Sequence, residues 1–130
     1  MINDYFTHWD CIEDLQDEYF FTSLIDDDNG FILEINPINT TRVLRLEFGY
    51  QVIYYEKIPE LASLKFIDEK GIGGKNEQLL IWENSTYVAK IYEDSYGFYD
   101  KSQIKHLLFI HPDGLIHILT LELPQIIWAE

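Results

Sequence analysis

Positive charge is scarce in this 130-residue chain: 9 Lys and Arg stand against 23 Asp and Glu, a net charge of −14. The first base is Arg42, and ten acids precede it. Nucleic-acid binders need Lys and Arg to neutralise phosphates, so the charge argues strongly against DNA and RNA as partners, and against anionic membrane surfaces for the same reason. Cysteine is nearly absent. The single thiol, Cys11, can neither form an internal disulfide nor build a Cys-based zinc cluster. That usage suits a reducing compartment and predicts a cytoplasmic protein. The first residues, Met1-Ile2-Asn3-Asp4-Tyr5-Phe6, lack the basic segment and apolar run of a signal peptide. No run nears the ~18 apolar residues of a spanning helix. Repeats, low-complexity tracts and Pro/Gly/Ser linkers are also missing, so residues 1–130 are expected to form one domain.

What is present is material for a core. Hydrophobic residues make up 47% and aromatics 15%, too rich for a disordered chain. Asp10, with Glu13 three residues later, resembles a capping box, and the spacing predicts a helix within 3–17. Residues 19–25 and 31–35 read as strands joined by Asp28-Asn29-Gly30, with Asn-Gly predicting a type I′ hairpin. Residues 42–56 read as extended, with Leu44, Leu46 and Phe48 on one face and Gly49 marking a bulge, bend or turn. Pro59 opens a short helix through Leu64, with Leu61 and Leu64 forming its buried stripe. Residues 68–76 read as a loop and 78–83 as a strand. Ser85 then caps a helix bearing Tyr87, Val88, Ile91 and Tyr92, stopped by Gly97, with a strand over 87–93 as the alternative. Lys105–His111 and Leu115–Leu121 flank Pro112-Asp113-Gly114 as a hairpin, and Ile126, Ile127 and Trp128 form an apolar tail. The predicted fold is α+β: an antiparallel sheet of five or six strands with two or three helices on one face.

Chemical motifs fail on spacing. Asp26-Asp27-Asp28-Asn29-Gly30 hints at a calcium loop, but placing Gly30 at the sixth position puts Ile25 and Asn36 where carboxylates belong. Gly71-Ile72-Gly73-Gly74-Lys75 has Glu69 and Asn76 at the two ends of a phosphate-loop pattern, so that pattern fails. His111 and His117 are expected on one face of the last hairpin, but two histidines do not make a zinc site, and no third ligand is evident. No Gly-x-Ser-x-Gly is present, and Cys11 lies among acids that disfavour its thiolate. The expectation is a protein that is not an enzyme, with no cofactor and no metal.

The order Trp9…Ile12-Glu13-Asp14-Leu15…Tyr19-Phe20-Phe21…Leu24-Ile25-Asp26-Asp27…Asn29-Gly30-Phe31 stands at the front of the chain. Leu44-Arg45-Leu46-Glu47-Phe48, Ile104-Lys105-His106-Leu107-Leu108 and a final strand ending in Leu123-Pro124 follow. In this order and style the chain resembles small acidic bacterial immunity-type proteins. The resemblance implies a protein that binds and neutralises a partner toxin, often a nuclease, and it transfers no functional residues by position.

Charge points the same way. A nuclease toxin is basic, and an inhibitor of opposite sign gains encounter rate and register. The expected partner is therefore a basic protein. Asp14, Asp17, Asp26, Asp27 and Asp28 would supply the field, and Tyr54 and Trp82 the aromatic anchors. The chain itself is expected to be a monomer or weak dimer. Two other classes fit the sequence: a small-ligand-binding module or unrecognised hydrolase, and a homo-oligomer built through Ile126-Ile127-Trp128.

Overall fold

The computed structural model describes residues 6–10, 18–38, 40–74 and 77–129. Its core lies between two antiparallel sheets. The first is five-stranded, in the order β1 (Phe6–His8), β6 (Leu79–Trp82), β7 (Lys105–His111), β8 (Gly114–Thr120), β5 (Val52–Pro59). The second is four-stranded, in the order β2 (Tyr19–Asp27), β3 (Gly30–Pro37), β4 (Val43–Gly49), β9 (Gln125–Ala129). Helices α1 (Glu60–Lys70) and α2 (Thr86–Asp94) pack on the outer face of the five-stranded sheet. The α+β class and antiparallel pairing agree with the sequence reading, but the single sheet does not: there are two. The physical reason lies in β7 and β8, which are buried on both faces. Leu107, Phe109, Ile116 and Ile118 meet Leu33, Ile35, Leu44 and Leu46 of the other sheet. Leu108, Ile110 and Leu115 meet the α1 side, and Leu119 the α2 side.

The run 42–56 changes sheets at Gly49. Its φ of +61° is easily reached without a Cβ, and Gln51 N–H closes the corner on the Phe48 carbonyl at 3.2 Å. The corner also dictates Gly30: a Cβ there would stand 2.9 Å from the Gly49 carbonyl oxygen. Asp27 pairs with Gly30, so the β2–β3 loop is Asp28-Asn29 rather than Asn29-Gly30. Positive φ falls on Gly30 alone in this turn, at +109°, which corrects the type I′ expectation. Asp27 Oδ1 accepts the Asn29 N–H at 2.8 Å.

Three further expectations change. Phe6–His8 is a strand paired with β6, not helix, and residues 3–5 and 11–17 of that expected helix lie outside the described residues. Helix α1 runs on to Lys70 and ends where Gly71 takes φ +65°. Its inward stripe is Ser63, Phe66 and Ile67, while Leu61 and Leu64 are 81% and 53% exposed. The tail Ile126–Trp128 is strand β9, paired with β4, and Arg42 lies 4.6 Å from the Trp128 ring centroid. Those side chains are thus half-buried within the fold.

Candidate functional site

The last hairpin decides where the histidines go. His111 pairs directly with Gly114, leaving Pro112-Asp113 as a two-residue loop. The sequence reading placed three residues in that loop. One residue of register inverts every side chain's face. His111 and His117 therefore lie on opposite sides of the sheet and cannot converge on one ion. His111 sits by Phe21, with ring centroids 5.4 Å apart. His117 instead shares its face with His106, whose partner in register is Leu119.

These two histidines form the centre of a buried polar chain. Ser85, 8% exposed, caps α2: its Oγ accepts the N–H groups of Tyr87 at 3.1 Å and Val88 at 3.2 Å. Its own hydrogen is then free for Nδ1 of His106, 2.5 Å away. With Nδ1 an acceptor, neutral His106 carries its proton on Nε2 and donates to Nδ1 of His117 at 2.8 Å. His117 Nε2 in turn faces the Tyr87 hydroxyl at 3.5 Å. Tyr87 donates to Glu56 Oε1 at 3.2 Å, and Tyr54 donates to Glu56 Oε2 at 2.6 Å. Every proton points the same way, from the α2 cap towards the Glu56 carboxylate.

Burial and packing hold both imidazoles neutral. Desolvation, with the neighbouring His117 adding to it, pushes His106 down to about 2. Desolvation likewise pushes His117 down to about 4, opposed by the charge of Glu56. Tyr87 stacks on His117 with centroids 4.5 Å apart, and Phe66 of α1 closes over the same ring edge-on at 5.3 Å.

The chain ends at a cavity of about 520 Å³ between β5 and α2. Tyr54 and Glu56 line one side; Tyr87, Lys90, Ile91 and Asp94 line the other. Ser85 does not border this cavity, and its acceptor and donor roles are committed to the cap and to His106. The arrangement fixes a carboxylate in place; it does not present the serine for attack.

A second feature lies at the β2–β3 tip. Asp26, Asp27 and Asp28 are exposed there, and among the described residues no Lys or Arg stands within ion-pair distance of them. Tyr50, 76% exposed, donates its hydroxyl to the Asp28 carbonyl at 2.8 Å. Beside the tip is a groove of about 330 Å³ lined by Asp26, Asp27, Tyr50, Tyr54 and Tyr55, among others. Tyr54 lines both depressions.

Of the residues singled out from sequence, Asp26, Asp27, Asp28 and Tyr54 are thus brought together. Asp14 and Asp17 lie outside the described residues. Trp82 is corrected: it is 4% exposed, stacked on Phe6 with centroids 5.2 Å apart and tilted against His106 at 5.0 Å, so it offers almost no surface to a partner. Sequence reasoning missed His106, Glu56 and the polar role of Tyr87. The available signal was the alternation His106, Leu108, Ile110, a polar ring on a face otherwise apolar. Comparisons with protein-family models, with curated proteins and with solved structures return no match to this chain.

Proposed function

We propose that this chain is an acidic inhibitor that binds and neutralises a basic protein, a bacterial toxin of the nuclease kind, as a cytoplasmic immunity protein. The observation that carries the reading is the uncompensated aspartate tip: three carboxylates on a turn, flanked by Tyr50, Tyr54 and Tyr55 and a groove between them. Carboxylates paired internally would spend their field inside the fold. These face water, where they steer a cationic partner and discriminate against anionic ones. The tyrosines supply rigid, amphipathic area of the type that dominates binding energy at interface centres. Trp82 has no part in this surface.

The test is co-expression with the product of the neighbouring reading frame, followed by binding kinetics on the purified pair. Growth rescue and a 1:1 complex with a basic toxin are the expected results. The triple substitution Asp26→Asn, Asp27→Asn, Asp28→Asn is expected to slow association about tenfold at low ionic strength and to flatten its salt dependence. An association rate that the triple substitution leaves unchanged would reject the tip as the docking element.

A further inference from the structure

Glu56 receives two phenolic protons, one from Tyr87 at the end of the chain that starts at Ser85 and one from Tyr54, and no positive charge. Tyr87 and Tyr54 each hold one oxygen of that carboxylate, at 3.2 and 2.6 Å. Burial first, then Glu56 itself, raises Tyr87 to about 12, so this phenol keeps its proton and remains a donor. The hydrogen bond from Tyr54 to Glu56 raises Tyr54 too. Neutral donors fix the carboxylate without cancelling its charge. Lys90, on the opposite wall, is held by Asp94 at 3.0 Å, and the two charges offset each other. Among the described residues no Lys or Arg stands within ion-pair distance of Glu56. The cavity therefore has one net negative charge, fixed on its β5 wall.

The walls narrow the ligand further. Tyr54 and Tyr87 meet edge to face, centroids 6.1 Å apart, and Ile91 adds an apolar side. About 520 Å³ is the size of a small-molecule site. An anionic ligand would meet Glu56 and Asp94. A hard divalent ion wants six or more oxygens, and the cavity presents one carboxylate not already paired with a cation. A neutral apolar ligand would strip water from Glu56 and return no partner. An organic cation satisfies every wall: its alkyl part lies on tyrosine and isoleucine, its charge on the carboxylate, and aromatic rings attract it further. The overall charge of −14 raises its local concentration.

We propose that the cavity between β5 and α2 is a binding site for an alkylammonium or guanidinium group, seated against Tyr54 and Tyr87 with its charge on Glu56. A free amine or a Lys or Arg side chain can carry that group. The site shares only Tyr54 with the aspartate tip, and its geometry does not depend on that tip.

The experiment is an NMR titration of the isotope-labelled protein at about 150 mM salt, where long-range attraction is screened. The probes are spermidine, as a free amine, and Nα-acetyl-arginine amide, as a protein side chain. Saturable shifts of the Tyr54 and Tyr87 ring signals below about 10 mM are expected from at least one probe. Tighter spermidine binding assigns the site to free amines, and tighter binding of the arginine amide assigns it to a protein side chain. Glu56→Gln removes the charge, keeps one oxygen acceptor and turns the other into an amide donor, and is expected to weaken binding about tenfold, whereas Glu93→Gln, on the exposed side of α2, is expected to leave it unchanged. No saturable shift with either probe, or equal weakening by Glu56→Gln and Glu93→Gln, would overturn the proposal. Asp26→Asn, Asp27→Asn, Asp28→Asn leaves this titration unchanged, so failure here and failure of the inhibitor reading are separate results.

Discussion

His106 and His117 are hydrogen-bonded to each other, Nε2 to Nδ1 at 2.8 Å, although neither is the other's partner in the β7–β8 register. His106 stands opposite Leu119 and His117 opposite Leu108, so the contact is diagonal across the ladder, within reach of a ring side chain. A diagonal pair ties two strands together at a slant. It also places a polar link between the α2 cap and the wall of the cavity.

That link makes stability depend on pH. Both histidines have folded values below the ordinary 6.5, at about 2 for His106 and about 4 for His117. Between those values and 6.5 the unfolded chain binds the protons and the native one does not. Stability is therefore complete above about pH 7 and falls as the pH drops through 6.5. The expected loss is about 2 kcal/mol for each histidine by pH 5. Urea denaturation at pH 7 and pH 5 measures it. In the double variant His106→Leu, His117→Leu the difference between the two pH values should shrink to a small remainder, whatever its stability at pH 7.

Ser85→Ala should cost about 2–4 kcal/mol. Loss of the α2 cap accounts for about 1 of this, and the remainder comes from leaving Nδ1 of His106 buried without a donor. Ser85→Thr retains a hydroxyl and should recover most of it. A loss no larger than an ordinary cap, measured by the same denaturation, would mean that the contact with His106 contributes nothing to stability.

Glycine substitutions should separate two kinds of requirement. At Gly114, φ is +148° and a Cβ would fall 2.1 Å from the Ile58 carbonyl oxygen, inside the β5–β8 pairing. Gly114→Ala is expected to cost more than about 3 kcal/mol, because backbone must move. At Gly49 the φ is +61° but nothing lies within 4 Å of the added carbon. Gly49→Ala should cost only about 1 kcal/mol, the price of a left-handed conformation. Thermal unfolding of the two variants side by side gives the comparison.

Asp26→Asn and Asp28→Asn should leave stability within about 0.5 kcal/mol, and raise it slightly at low ionic strength, because each removes repulsion and breaks no ion pair. Glu34 differs from them: its carboxylate meets Arg45 Nε at 3.1 Å and accepts from Ser23 Oγ at 2.9 Å. Glu34→Gln should destabilise, by about 1 kcal/mol. Salt-dependent melting curves distinguish the two cases.

The helix α2 shows what was legible in the chain. Ser85 as its cap could be read directly, because a capping hydroxyl reaches only two or three residues ahead. Both glycine-bearing hairpins could be found the same way. The turns' registers could not. Placing three residues instead of two in the Pro112-Asp113 loop moved His117 to the wrong side and hid its partner His106. In β7 and β8 alternation offers no correction, since the apolar residues of both strands are buried on both faces.

Composition and short-range chemistry by themselves determined the class of the molecule: an acidic α+β chain, antiparallel hairpins and a helix capped at Ser85. These follow from interactions between residues a few positions apart. Tertiary structure alone decided that Gly49 sends β4 and β5 into different sheets, that α1 buries Ser63 rather than Leu61, and that Ser85, His106, His117, Tyr87 and Glu56 form one line. Those outcomes depend on which of two apolar faces finds a neighbour. That choice is made by packing between segments far apart in the chain, such as Ser85 with His106 and Glu56 with Tyr87 and His117.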